Sequence, residues 1–420
     1  MRNGLLALMG SGETSPTMVT PHREIAAGLG DGDESVILET PYAFQVNRED
    51  ISAKAREYFR HSVGLGTSVL PDTGADASDH DLLRDRVRRA SWVFSGPGSP
   101  SYALAGWRAW GLAGVLRERV RRGRGVTLLA SAAACTAGLA AIPVYEIYKA
   151  GHAPHWLEGL DVLGALDVPV AVVPHYDNAE GGTHDTRFCY LGETRLAAME
   201  EELPPGSAVL GIDEHTAVLV DLGSSEVRVR GRGVMTVRRH GSSVTVPAGS
   251  VLSLGELRGL VRGRKVAVAA VPAVTEVHAA EAEEPDAPLP EAVAAWEARF
   301  ERSHADGDAA GMVAAVLGLE AVIVAWGADT EEDQGGEWAR TVLRGLVRQL
   351  AAPLARGLAE PQRSLGLLLG PLVELRDRLR AERSFTLADE LRVALASGGV
   401  AIRDTPEGGE WELLTDSSAS

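Results

Sequence analysis

The chain has 420 residues, 45% of them hydrophobic, and its 41 lysines and arginines against 58 aspartates and glutamates leave a net charge of −17. That length allows two or three domains with sizeable cores, and the composition excludes a disordered chain. The acidic balance disfavours general binding to nucleic acid or anionic membranes.

At the N-terminus, Arg2 is followed by the apolar run Leu5–Met9 and then Gly10-Ser11-Gly12-Glu13. The run is too short for a signal-peptide core and predicts a first buried strand. Further strands are predicted at Ser35–Leu38, Ser91–Phe94, Val126–Leu129 and Val168–Val173, with amphipathic helices at Ile51–His61, Leu82–Arg89 and Tyr102–Arg122 between them. Such alternation predicts an α/β domain over 1–270, a mostly parallel sheet flanked by helices. Ligands of such sheets bind beyond the carboxyl ends of the strands, where Gly96, Ser131 and His175 fall. Ala208–Ile212, Ala217–Val220, Glu226–Arg230 and Val234–Val237 then predict hairpins at a sheet edge.

Residues 271–290, ending in AAEAEEPDAPLP, are acidic and rich in alanine and proline, and predict a linker. Residues 291–420 predict a mainly helical domain, with helices at Ala292–Ser303, Ala309–Trp326, Glu337–Leu358 and Leu367–Arg380. Thr386 with Asp389 reads as a capping box opening a short helix, and a small hairpin ends the chain. No run is expected to reach the eighteen or so apolar residues that cross a bilayer. Two cysteines, Cys135 and Cys189, form no paired-cysteine motif, so a reduced, cytoplasmic protein without disulfides or structural zinc is expected.

Chemistry concentrates in three places. Ser131 ends the apolar run Val126–Leu129 and opens a small-residue helical segment, the outline of a strand–nucleophile–helix turn. A serine there is also a good helix cap. The usual elbow has glycine two places either side of the nucleophile; here stand Leu129 and Ala133. Cys135 is a weaker rival, four residues into the helix, where cysteine behaves as a small hydrophobe. His175 follows the next apolar run in Pro174-His175-Tyr176-Asp177, in position to act as base or as a structural histidine. Glu146, flanked by apolar residues, is the candidate orienting acid, with Asp161 and Asp167 in reserve.

The turn Gly96-Pro97-Gly98-Ser99-Pro100 follows a strand, and Ser99 with Pro100 predicts a helix start. Its N–H groups could hold an anion, as could those of Gly10-Ser11-Gly12; a plain strand-to-helix turn fits both equally. Neither is a dinucleotide or Walker fingerprint. Arg187 could clamp a substrate carboxylate or pair on the surface. Gly211-Ile212-Asp213-Glu214-His215-Thr216 reads, on spacing alone, as a hairpin turn.

With Gly10-Ser11-Gly12-Glu13, Phe94-Ser95-Gly96-Pro97-Gly98, the Ser131 turn, Pro174-His175-Tyr176 and Gly211–Ala217, the first 265 or so residues resemble the dipeptidase E and cyanophycinase family of serine peptidases. The resemblance implies the class I glutamine-amidotransferase-like fold. It implies Ser131 as nucleophile, His175 as base and Glu146 as acid, with the oxyanion held by N–H groups of Gly98 and Ala132. Gly96, Arg187 and Asp177 are the expected substrate-binding residues. Small acidic or aspartyl-containing peptides are the implied substrates, cleaved in exopeptidase mode without cofactor or metal. Leu129 and Ala133 depart from the pattern, and His215 stands where the family usually has a smaller residue.

Residues 370–414 resemble instead the C-terminal end of cysteinyl-tRNA synthetase, on Leu375–Arg380, Ser384–Arg392 and Ile402–Trp411. That implies tRNA or a protein as partner of this region, with Arg376, Arg378, Arg380, Arg383 and Arg392 as a candidate patch. Residues 291–420 nevertheless hold 22 acids and 13 arginines, which opposes tRNA binding. The expected protein is thus a cytoplasmic serine exopeptidase with a helical recognition or assembly domain, not bound to membrane and compatible with a homo-oligomer. The alternative is a peptidase-like binding protein that has lost catalysis.

Overall fold

The computed structural model describes the chain except residues 1–3, 31, 73–76, 182–183, 265, 267–286, 327–334, 360, 406–407 and 414–420, together with the side chains of 77–78 and 351–368. Five short apolar runs form strands β1 (Leu5–Met9), β2 (Ser35–Leu38), β3 (Ser68–Leu70), β4 (Trp92–Ser95) and β5 (Val126–Ala130). Helices α1 (Val19–Ala26), α2 (Arg48–Tyr58), α3 (Ala77–Arg89), α4 (Pro100–Ala109) and α5 (Leu112–Arg121) separate them. Helical crossovers return the chain in the same direction, so β1, β5, β4, β2 and β3 pair parallel in that spatial order.

Ser131 opens a short helix, α6 (Ser131–Cys135), and two-residue strands β6 (Ala140–Ala141) and β7 (Leu157–Glu158) follow. After β8 (Val170–Val173) and α7 (Gly192–Glu200), the chain becomes a meander: β9 (Ala208–Ile212), β10 (Thr216–Asp221), β11 (Glu226–Gly231), β12 (Val234–Arg239), β13 (Ser242–Pro247) and β14 (Val251–Ser253). Helix α8 (Leu254–Val261) is closed at its start by a reciprocal Ser253–Glu256 capping box. Strands β10, β11 and β14 extend the large sheet beyond β1, each antiparallel to its neighbour, giving eight strands. Four other strands form a second sheet in the order β13-β12-β9-β8, in which β8 and β9 run parallel, and β6 pairs with β7 in a separate sheet. The run leading to His175 thus belongs to this smaller sheet, which the apolar periodicity did not separate from the first.

Helices and sheets bury a mainly apolar interior that also encloses polar and charged side chains. Phe59 meets Trp92 and Phe94 edge-on, at ring separations of 4.8 and 4.9 Å, in the geometry that aromatic quadrupoles favour. Arg119 is one of several buried charged residues, with Glu13, Glu200 and Arg238 among the others. Its buried guanidinium donates to the carbonyls of Val87, Ala90 and Val126, tying the end of α3 to β5. Burial, with Arg124 nearby, lowers its pKa to about 10.

The C-terminal region forms α9 (Leu289–Ala305), α10 (Ala309–Trp326), α11 (Gly335–Ala359), α12 (Pro361–Ala381), α13 (Phe385–Ser397) and the hairpin β15 (Val400–Thr405)–β16 (Gly408–Leu413). By spatial clustering the chain divides into one unit of 1–295 with 318–340 and another of 296–317 with 341–420. The expected linker falls outside the described residues as far as 286, and Leu289 already opens a helix.

Two expectations need correction here. Helix α13 starts at Phe385 with Ser384 at its cap and no side-chain cap bond, so Thr386 and Asp389 lie inside it rather than opening it. Helix α10 holds one charged residue, Glu320, in eighteen. With a mean hydropathy of 2.0, it is long and apolar enough, by length and composition, to cross a bilayer. Its many alanines and glycines had masked that continuity. In the second unit, buried Arg376 bonds Asp404 at 2.6 Å and Asp377 at 3.2 Å, and Arg380 also reaches Asp404. The bonds to Asp404 join α12 to the turn end of β15.

Candidate active site

Strands β1, β5 and β4 end side by side, with Met9 opposite Ala130 and Ser95 opposite Leu129. Gly10, Ser131 and Gly96 therefore emerge together at the carboxyl edge of the large sheet. Ser131 turns there with φ +47°, a left-handed conformation costing a non-glycine residue about 1–2 kcal/mol and characteristic of strained functional positions. Leu129 and Ala133, which replace the customary glycines, are both fully buried. Leu129 sits in the core cluster with Leu6 and Leu8. Ala133 donates its N–H to the Gly96 carbonyl at 3.2 Å, tying the glycine turn to the helix of the serine. The elbow is thus filled with apolar side chains without displacing Ser131, whose Oγ lies 2.9 Å from His175 Nε2.

His175 and Glu214 reach the site from the second sheet. Val173 pairs with Gly211 in the parallel β8–β9 register, so the residues just past both strands leave at one edge. His175 also has a left-handed φ, +47°. Its Nδ1 lies 2.9 Å from Glu214 Oε1, which also accepts the Asn178 side-chain amide at 3.0 Å. Burial alone would push the Glu214 carboxyl up, but the bonds from His175 and Asn178, with the His215 imidazole nearby, hold it below the ordinary glutamate value. A hydrogen-bonded chain Ser131–His175–Glu214 results.

The acid beside His175 is therefore Glu214, and the expectation of Glu146 is corrected. Glu146 sits in a wide helical turn at Tyr145–Lys149, with one buried carboxylate oxygen lacking a hydrogen bond. Of the reserve acids, Asp167 pairs with Arg262 at 2.6 Å near the opposite, amino end of β8. Cys135 is fully buried, and burial pushes its thiol up to about 12 against a bond from Ile142 N–H, which removes it as a nucleophile at neutral pH.

The glycine loops hold the site's framework. A Cβ on Gly10 would lie 2.0 Å from the Asp213 carbonyl oxygen, so only glycine lets the end of β1 lie against the Asp213–His215 turn. Gly10 N–H donates to Thr216 O, and His215 Nδ1 lies 2.9 Å from Thr17 Oγ1. This loop packs against the turn that carries Glu214. Gly98, at φ +131°, presses on the Pro41 carbonyl, where a Cβ would approach to 2.1 Å. Ser99 caps α4 through Tyr102 N–H, as its sequence predicts. Ala132, the other expected oxyanion donor, follows Ser131 at the start of α6, where N–H groups lack intrahelical acceptors.

Asp177 and Arg187 have protein partners. Asp177 Oδ1 accepts the Glu214 N–H at 2.7 Å, which ties it to the turn that carries Glu214. Burial raises its carboxyl above the ordinary value against that bond, and the Glu214 charge adds to the rise. Asp213, whose Oδ2 accepts Val234 N–H, is raised to about 6, first by burial and then by the Asp177 and Glu214 carboxylates. Arg187 makes a two-pronged bond to Asp185, both contacts 2.9 Å, and lies over the Phe188 ring at 5.0 Å. Phe188, Cys189 and Tyr190 then take φ of +62°, +56° and +64° in succession. The turn is fixed by Phe188 N–H to Tyr176 O and Cys189 N–H to His175 O. It carries Tyr190 to 6.3 Å from the His175 ring.

Comparison with known proteins gives two separate likenesses. Residues 6–227 match the model of Peptidase family S51. A solved peptidase from an acI-B1 Actinobacterium is 19% identical, with the match covering 60% of this chain and 97% of that one at a TM-score of 0.44. In the C-terminal region the chain is 36% identical over 66 residues to a cysteine–tRNA ligase of Brevibacillus brevis, and 36% identical over 61 residues to one of Thermosipho melanesiensis. These stretches are 16% and 14% of this chain and only 14% and 13% of the ligases.

Proposed function

The chain belongs to peptidase family S51, and from that membership and the site's geometry we propose that it is a serine peptidase using Ser131, His175 and Glu214. The observation that carries this reading is the pair of 2.9 Å contacts linking Ser131 Oγ to His175 Nε2 and His175 Nδ1 to Glu214. In the proposed reaction, Ser131 Oγ attacks the peptide carbonyl carbon as its proton passes to His175 Nε2. Glu214 holds the Nδ1–H and stabilises the imidazolium. The N–H groups of Ala132 and the Gly98 turn receive the oxyanion. Collapse breaks the C–N bond, and the amine leaves with the proton from His175. Water, deprotonated by the same imidazole, then releases the acid and restores Ser131.

Small peptides cleaved in exopeptidase mode, with an acidic side chain meeting Arg187, are the proposed substrates. Such a side chain must compete with Asp185 for the guanidinium. The test is labelling by a fluorophosphonate, which needs an activated serine and no knowledge of substrate. Labelling of the native protein that vanishes in Ser131→Ala and is strongly slowed in Glu214→Gln is expected. A native protein that neither labels nor turns over peptides overturns the proposal.

For the C-terminal region we propose a recognition or assembly role with a protein partner in preference to tRNA. Arg376 and Arg380 are engaged by Asp404, which removes the centre of the candidate basic patch. Salt-sensitive tRNA binding by the whole chain would favour RNA instead.

A further inference from the structure

Four rings run in sequence away from the reactive serine. The His175 ring lies 6.3 Å from Tyr190, Tyr190 lies 4.8 Å from Tyr148, and Tyr148 lies 6.3 Å from His184. Exposure increases along the strip: His175 is mostly covered, Tyr190 and Tyr148 are half-buried, and His184 is exposed. The strip therefore begins at the base and opens to solvent, as a substrate groove does. Its inner ring is held at a backbone cost, since Tyr190 ends the left-handed run Phe188–Tyr190 that is bonded to the carbonyls of His175 and Tyr176. Left-handed non-glycine residues of this kind cluster at active sites and ligand clamps. The Tyr190 hydroxyl donates to Glu180 at 2.7 Å, which fixes the ring's orientation.

We propose that Tyr190 and Tyr148 form an aromatic subsite that receives a flat, apolar side chain of the peptide next to the cleaved bond. The faces of aromatic rings are electronegative and pair well with other rings and poorly with carboxylates. Glu180 bonds the Tyr190 hydroxyl at the inner end and Lys149 Nζ lies 5.9 Å from the Tyr148 ring centre, so the rim carries both signs and the ring faces decide the preference. The strip thus selects an aromatic residue, distinct from an acidic residue directed to Arg187. This inference rests on the peptidase reading, so its test includes a measurement that needs no turnover.

Dipeptides carrying phenylalanine, leucine, alanine or aspartate on either side of the bond are titrated calorimetrically into Ser131→Ala, and their hydrolysis by the native chain is followed in parallel. Phenylalanine at one of the two positions should bind about tenfold more tightly than alanine there, with the same ratio in kcat/KM. Adding Tyr148→Ala should bring that ratio close to one, and Tyr148→Phe should restore it. Equal binding of phenylalanine and alanine at both positions overturns the subsite. So does a preference that survives Tyr148→Ala in a chain with native circular dichroism. Absence of turnover with the binding preference intact counts against the peptidase reading alone.

Discussion

Gly10 and Asp213 touch so closely that the end of the first strand and the turn bearing Glu214 form a single packed unit: a methyl group on Gly10 would lie 2.0 Å from the Asp213 carbonyl oxygen. Gly10→Ala must push that turn outward. The expected result is a loss of about 1–3 kcal/mol of stability from overpacking. A fall in kcat should accompany it, because Glu214 moves with the turn. Urea unfolding and peptide turnover measure the two effects.

The choice of acid is tested by a pair of matched variants. Glu214→Gln should lower kcat on the order of 10³–10⁴-fold, as loss of an orienting carboxylate does. Glu146→Gln, without contact to His175, should stay within a few-fold of native. Equal effects from the two changes would contradict the arrangement.

Leu129 tests whether the apolar elbow costs activity. Its side chain is fully buried among Leu6 and Leu8, while Ser131 keeps its bond to His175. Leu129→Ala should therefore destabilise by about 3–5 kcal/mol and should not accelerate turnover. A faster, equally stable variant would mean that Leu129 strains the serine.

Asp213 gives the stability a pH signature. Its folded pKa of about 6 lies above the ordinary 3.8, so between those values the folded chain keeps a proton that the unfolded chain releases. The group's contribution to stability falls as pH rises through this window, and the full cost is present above pH 6. Asp213→Asn, which retains an acceptor for Val234 N–H, should gain about 1–3 kcal/mol relative to native above pH 6 and nothing below pH 4. Urea midpoints from pH 4 to 7.5 provide the measurement.

Much of this site was legible in the sequence where a residue's role follows from its own strand. Ser131 and His175 each stand directly beyond an apolar run, and the first two strands fall where periodicity puts them. Glu214 was not legible in that way, since its position depends on pairing between two strands distant along the chain. Asp213-Glu214-His215 between two apolar runs reads as a hairpin turn. Only the parallel β8–β9 register turns the residue past β9 toward the residue past β8. An available signal was that Ala208–Ile212 repeats the short, fully apolar character of Val170–Val173, the mark of a strand buried on both faces. The left-handed run at Phe188–Tyr190 carries no local signature, because its conformation is imposed by the carbonyls of His175 and Tyr176.

Ser131 leaves the eight-stranded sheet, whereas His175 and Glu214 leave the four-stranded one. The contact between Ser131 and His175 therefore crosses a seam between the two sheets, spanned by the short connections 213–215 and 232–233 and lying outside the backbone ladders of either sheet. A sideways slip of about 1 Å along that seam leaves both ladders intact yet can cost on the order of a hundredfold in rate. Warming should accordingly extinguish turnover several degrees before far-ultraviolet circular dichroism changes. The peptidase would then behave as a molecular vernier, its rate reading out the alignment of two rigid plates long before either begins to melt.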